Sequence, residues 1–165
     1  MKHLRLFETI EEFESAKELI RRPWVSYIEE TQTVGYMKAY KPNTSVYYKI
    51  EDNILYIRGT EKEGYSERAL YTDTTLARNG WYNAPNKGQI TKAIIEEVIS
   101  PTSCARFFDL MSGMTKIENF ENLKMDNCKS CFTMFQGCFA LQSVDCTNWD
   151  VSNVTDMDAM FNSCY

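Results

Sequence analysis

The sequence predicts an α+β N-terminal module followed by a short α/β solenoid of about two and a half repeats, with parallel strands and short helices. Three observations lead there. All six cysteines fall between Cys104 and Cys164, whereas nine of the ten tyrosines fall between Tyr27 and Tyr82. A helical pattern near the start gives way to aromatic and β-branched runs. After Ile90, apolar residues recur at a fixed long spacing, with Phe108, Phe135 and Phe161 lying 27 and 26 residues apart.

The first two observations define a module over 1–87, with the boundary in "NAPNKGQ" at 83–89, where Asn, Pro and Gly cluster as in a turn. Its first element is a helix over about 9–21. Thr9 and Glu12 fit a capping box, Ile10, Phe13, Ala16, Leu19 and Ile20 share one face, and Pro23 stops the pattern. "WVSYI" then reads as a strand. "SVYYKI" and "ILYIR" flank the short turn "EDN" as a hairpin, and "ERALY" adds a further strand.

The third observation defines 88–165. Aligned on the three phenylalanines, Cys104, Cys131 and Met157 share a column, as do Phe107, Met134 and Met160, and Cys138 falls on Cys164. A period of 20 to 30 residues is the mark of a leucine-rich-repeat-like solenoid. Val154, Met157, Met160 and Phe161 stand on one face of a short helix that Ser152 or Asn153 would cap. "KIENF" and "LQSVD" become the short strands. If the first module docks on the first coil, Ile94, Ile95 and Val98 should be buried beneath it.

"NWDVSNVTDMDAMFNSC", and less closely "ENLKMDNCKSCFTMFQGC", resemble the BspA-like leucine-rich repeat found in a domain of unknown function shared by mycoplasma lipoproteins and bacterial surface proteins. The likeness covers roughly 90–165. It implies a cell-surface setting and adhesion to a protein or glycan on a host or neighbouring cell. The second row departs from the pattern, with Cys128 and Lys129 where the repeat has Val and Thr.

Composition narrows the function. Net charge is −5, with 13 basic and 13 acidic residues over 1–87 against 5 and 10 over 88–165. An acidic half without a Lys/Arg cluster argues against nucleic acid and anionic membranes. No apolar run approaches bilayer-spanning length, so membrane insertion is not expected. The start, "MKHLRLFETIEEFES", turns acidic where a secretory signal would turn apolar, and the compartment is left open.

No residue pattern calls for catalysis, a cofactor or a metal. "CKSC" at 128–131 has redox or zinc-half-site spacing, but both cysteines stand in columns that face the core. His3 has no motif around it, and the pairs Asp156/Asp158 and Glu96/Glu97 splay apart. The candidates for contact with a partner are Trp81, Tyr82 and Tyr47, aromatic residues suited to stacking on sugars or anchoring a protein interface. A second candidate surface is the uncapped last coil, where Met160, Phe161 and Tyr165 would lie at a contact and would allow a homo-oligomer. The resulting expectation is a non-enzymatic binding or adhesion module of a bacterial surface-type protein. A structural or receptor-binding component of a phage-like particle is the alternative, followed by a carbohydrate-binding module.

Overall fold

A computed structural model describes residues 5–6, 25–28, 33–36, 40–147 and 149–164. The chain divides into two compact units, 1–39 and 40–165. In the first, β1 (Arg5–Leu6), β2 (Val25–Ile28) and β3 (Thr33–Tyr36) form an antiparallel sheet in the order β1-β3-β2. The helix expected over 9–21 lies outside the described residues.

The second unit is built on a mixed five-stranded sheet. β4 (Ser45–Glu51), β5 (Ile54–Arg58), β6 (Ser66–Ala69), β7 (Lys92–Ile95) and β8 (Lys116–Glu118) lie in the order β6-β4-β5-β7-β8. β6, β4 and β5 are antiparallel, while β5, β7 and β8 are parallel. The hairpin of β4 and β5 turns on Asp52 and Asn53, with φ of 51° and 60°. Two successive left-handed residues match the strand twist, and Asp and Asn tolerate that backbone better than most. Alternation then puts Val46, Leu55, Ile57, Ala93 and Ile95 in the core.

This sheet runs through the boundary expected at 83–89, because β5 pairs directly with β7. Of the three residues expected beneath a docked first module, Ile95 is buried, Ile94 is half-buried and Val98 is 45% exposed.

The predicted architecture, an α+β module followed by a leucine-rich-repeat-like solenoid with short helices, is corrected here. Among the described residues no α-helix occurs; helical backbone is confined to the short 3-10 turns Gly80–Asn83, Lys87–Gln89 and Phe120–Asn122. The segments 104–111, 131–138 and 157–164 form tight turns stacked in three layers. Arg106, Leu110, Thr133, Gly137, Ala159 and Ser163 all have positive φ, which a right-handed helix excludes. "LQSVD" forms no strand, whereas "KIENF" contributes β8.

The reason is where the amides go. Cys104, Arg106, Phe108 and Leu110 donate to Ser130, Phe132, Met134 and Gln136 of the second layer, at 2.7–2.9 Å. Cys131, Thr133, Phe135 and Gly137 donate to Asp156, Asp158, Met160 and Asn162 of the third, at 2.7–3.0 Å. Amides between them, such as Phe107 and Met134, close their own turn to the carbonyl three residues back. Every second amide is therefore committed to the next layer, as in a sheet, and a continuous helical ladder cannot form. Side chains tie the layers with the same spacing. Ser100 Oγ donates to Asp126 at 2.8 Å, and Ser130 Oγ to Asp156 at 3.2 Å.

Candidate functional site

The two ends of this stack differ. At the first layer the carbonyls of Ala105 and Phe107 occupy the positions through which layers two and three accept hydrogen bonds. No layer precedes them among the described residues. Arg68 and Trp81 take its place. Arg68 Nη2 donates to the carbonyls of Ala105 (3.2 Å), Arg106 (3.3 Å) and Ala77 (3.3 Å), and Trp81 Nε1 donates to the Phe107 carbonyl. Arg68 comes from β6 and is 1% exposed. Its guanidinium lies 4.0 Å from the Trp81 ring and 5.3 Å from that of Phe107. Burial pulls it down to about 9, which still leaves it charged at neutral pH. Gly80, at φ 56°, crosses directly over the Arg68 stem. A Cβ there would sit 2.8 Å from Arg68 Cβ and Cγ, so both the backbone angle and the close approach call for glycine.

From that cap an aromatic column runs down the stack. Tyr48 meets Trp81 edge-on at 5.1 Å, Trp81 meets Phe107 at 5.0 Å, and Phe107 meets Phe108 at 5.2 Å. Phe108, Phe135 and Phe161 then stack nearly parallel, at 5.4 Å and 5.3 Å. Phe108 and Phe135 are fully buried, but Phe161 is 50% exposed.

The third layer is where the column and the hydrogen-bond ladder both stop. Met157, Ala159, Phe161 and Ser163 stand where the donors of the two layers above stand. Their amides make no hydrogen bond among the described residues. The carbonyls of 157, 159 and 161 are engaged within the turn by the amides of Met160, Asn162 and Cys164. This face therefore carries four amides without a partner among the described residues, alongside exposed Met157 (45%) and Phe161. Val151, also exposed, precedes them in the third layer's approach.

The residues expected at partner contacts are distributed unevenly. Trp81 is fully buried and serves the cap, so its ring is not open to a ligand. Tyr82 is half-buried, with Lys87 Nζ 3.6 Å and Arg106 5.6 Å from its ring centre. Tyr47 is half-buried on β4, between Arg58 and Glu67. Met160 is half-buried and Phe161 half-exposed at the open end; Tyr165 lies outside the described residues. The structure thus unites Met160 and Phe161 but does not bring Trp81, Tyr82 and Tyr47 together on an exposed surface. Arg68 escaped sequence reasoning, since nothing local distinguishes it from a solvated strand arginine.

The other polar-aromatic face, on β4, β5 and β7, is internally satisfied. Tyr65 donates its hydroxyl to Glu96 at 2.8 Å, and Lys49, Arg58 and Lys62 lie over its ring. Burial, then Glu96, pushes the Tyr65 phenol up to about 12. Glu97 receives Gly59 N, Thr60 N, Thr60 Oγ1 and Arg58 Nη2 and so pins the turn after β5.

The six cysteines are free thiols. Cys128 and Cys131 lie with their sulfurs 3.9 Å apart, and Cys104 Sγ lies 3.9 Å from Met125 Sδ. Burial raises Cys104 well above the ordinary thiol range and Cys138 to about 12. Among the described residues, no group of three or more His, Cys, Asp or Glu is placed to hold a metal ion. Cys138 and Cys164 act alike, donating their thiols to the carbonyls of Phe108 (3.1 Å) and Phe135 (3.0 Å) in the layer above. Cys104, Cys128, Cys131 and Cys138 are buried; Cys146 and Cys164 are only partly so. A bulky aromatic disulfide reagent should therefore label only these two in the native protein, and all six after unfolding. Rapid native labelling of all six would contradict the packing.

Fold and site together define a β-sheet unit continued by stacked turns, capped at its first layer by Arg68 and Trp81 and with no layer beyond the third among the described residues. Residues 102–165, which span the stack, match the family model described as a Mycoplasma protein of unknown function, DUF285. No curated protein and no solved structure matches the chain.

Proposed function

We propose that this protein is a non-enzymatic binding module of a bacterial surface-type protein, and that it engages a protein partner through the face that carries Met157 and Phe161. The observation that carries this reading is the coincidence, on one face, of a half-exposed aromatic ring and four backbone donors that have no partner among the described residues. An exposed aromatic beside amides without an intramolecular partner is suited to a polypeptide partner. The resemblance to BspA-like surface repeats is what suggests adhesion.

The test is binding of the fluorescently labelled protein to whole bacterial and epithelial cells, read by flow cytometry. Saturable binding is expected, and Phe161→Asp should weaken it by about tenfold or more, since an anchor ring is replaced by a charge. Circular dichroism would verify that the variant stays folded. Binding that survives Phe161→Asp unchanged, or no binding to any cell type, would overturn the reading.

A further inference from the structure

The second layer carries a chemistry that its neighbours lack. In the aligned columns Cys128 stands with Pro101 and Val154, and Cys131 with Cys104 and Met157, so of the three layers only this one has thiols at both positions. We propose that Cys128 and Cys131 form a site of reversible oxidation, at which a hydroperoxide converts the pair to a disulfide that locks the turn joining all three layers. This goes beyond the binding-module reading and does not depend on it.

The two sulfurs lie 3.9 Å apart on one turn. A disulfide needs them at about 2 Å, an approach that side-chain rotation can supply. Both residues are fully buried, so the site admits only an oxidant as small as hydrogen peroxide, and only as the turn opens locally. The Cys128 thiol donates to the Ser130 carbonyl at 3.3 Å, but the Cys104 amide donates to that same carbonyl at 2.8 Å. Loss of the thiol hydrogen therefore strands no acceptor. The thiols of Cys104 and Cys131, turned on Cys128, pull it below the ordinary thiol range. Its contact with Cys128, then burial, pushes Cys131 above that range. Cys128 is thus the attacking sulfur and Cys131 the resolving one.

The Cys128 sulfur attacks one peroxide oxygen. An S–O bond forms, the O–O bond breaks, and the other oxygen leaves as water with the thiol proton, giving a sulfenic acid. The Cys131 sulfur then displaces the sulfenic oxygen, which leaves as a second water with the Cys131 proton. Two thiols are oxidised to one disulfide, and one hydrogen peroxide is reduced to two waters. Cys104 is the competing partner, since its thiol also meets Cys128 from the first layer. A bond between those two would cross-link two layers instead of closing one turn.

The position of the turn gives the bond its consequence. The Cys104 amide donates to Ser130, and the Lys129 amide to Thr102, which ties 128–131 to the first layer. The Cys131 amide donates to Asp156, and the Thr155 amide to Lys129, which ties it to the third. A staple across these four residues restrains both junctions at once.

The test treats the full chain, at low concentration, with hydrogen peroxide. Disulfides are mapped by mass spectrometry of the digested protein before and after dithiothreitol, and amide exchange is followed residue by residue. An intrachain Cys128–Cys131 link that dithiothreitol removes is expected. Exchange at Lys129, Cys131 and Thr155 should slow about threefold or more in the oxidised protein and recover on reduction. Cys128→Val, which installs the residue that the third layer has in this column, should keep the fold by circular dichroism and lose the reversible change. Absence of the Cys128–Cys131 link, a principal link through Cys104, or the same slowing in peroxide-treated Cys128→Val would overturn the proposal. So would a disulfide that leaves exchange at the three amides unchanged.

Discussion

Replacing Arg68 with alanine is expected to destabilise the protein by about 3–5 kcal/mol, from stranded carbonyl acceptors and lost packing together. The expectation follows from what the side chain does at the head of the stack. Its Nη2 is the donor for the carbonyls of Ala105, Arg106 and Ala77, all within 3.3 Å. Removal strands buried acceptors, each costing about 1–3 kcal/mol when unsatisfied. It also opens a cavity beneath Gly80 and beside the Trp81 ring. Two further variants separate these contributions. Arg68→Met keeps the stem but no donor, and Arg68→Lys keeps the charge but not the planar fork that reaches several carbonyls. Both should fall between wild type and alanine in urea denaturation. Because Nε and Nη1 have no hydrogen-bond partner among the described residues, methionine also relieves some desolvation and should be the milder change. A methionine variant clearly more stable than wild type would show that the cap does not depend on the guanidinium.

Phe135→Ala is expected to cost about 3–5 kcal/mol, whereas Phe161→Ala should cost under about 1.5 kcal/mol. The two residues occupy equivalent positions in successive layers, so chemistry is held constant and only burial changes. Phe135 is fully buried between the rings of Phe108 and Phe161 and lies 6.3 Å from that of Phe120. Its loss leaves a void that two stacked layers cannot close without breaking their backbone ladder. Phe161 has one ring face against Phe135 and the other in solvent, so less contact is lost. Comparable losses at the two positions in chemical denaturation would mean that the third layer is closed by something further along or outside the chain.

These contrasts also show where sequence and structure parted. The apolar columns were legible because the spacing of Phe108, Phe135 and Phe161 places side chains that must pack on one another, and their rings do stack. The β4–β5 hairpin was legible because Asp52 and Asn53 favour the left-handed turn between two β-branched and aromatic runs. The helices expected at those columns were not found. Apolar residues at i, i+3 and i+4 suit a helix, but they equally suit successive tight turns, each broken by a left-handed residue. Cys104, Phe107 and Phe108 all reach the core by the second route. Trp81 read as a partner contact because aromatic side chains suit sugar stacking and protein interfaces, yet the first layer needed its indole N–H.

The sequence by itself determined which residues would share a column after position 100, since side-chain hydrophobicity and spacing are local properties of the chain. Only the tertiary structure decided the backbone those residues adopt and which end of the stack stays open. Both depend on the partner each amide and carbonyl finds: Ser130 for Cys104, the Arg68 guanidinium for Ala105, and none among the described residues for Met157, Ala159, Phe161 and Ser163. Those partners come from distant parts of the chain, and no local pattern of residue types encodes them.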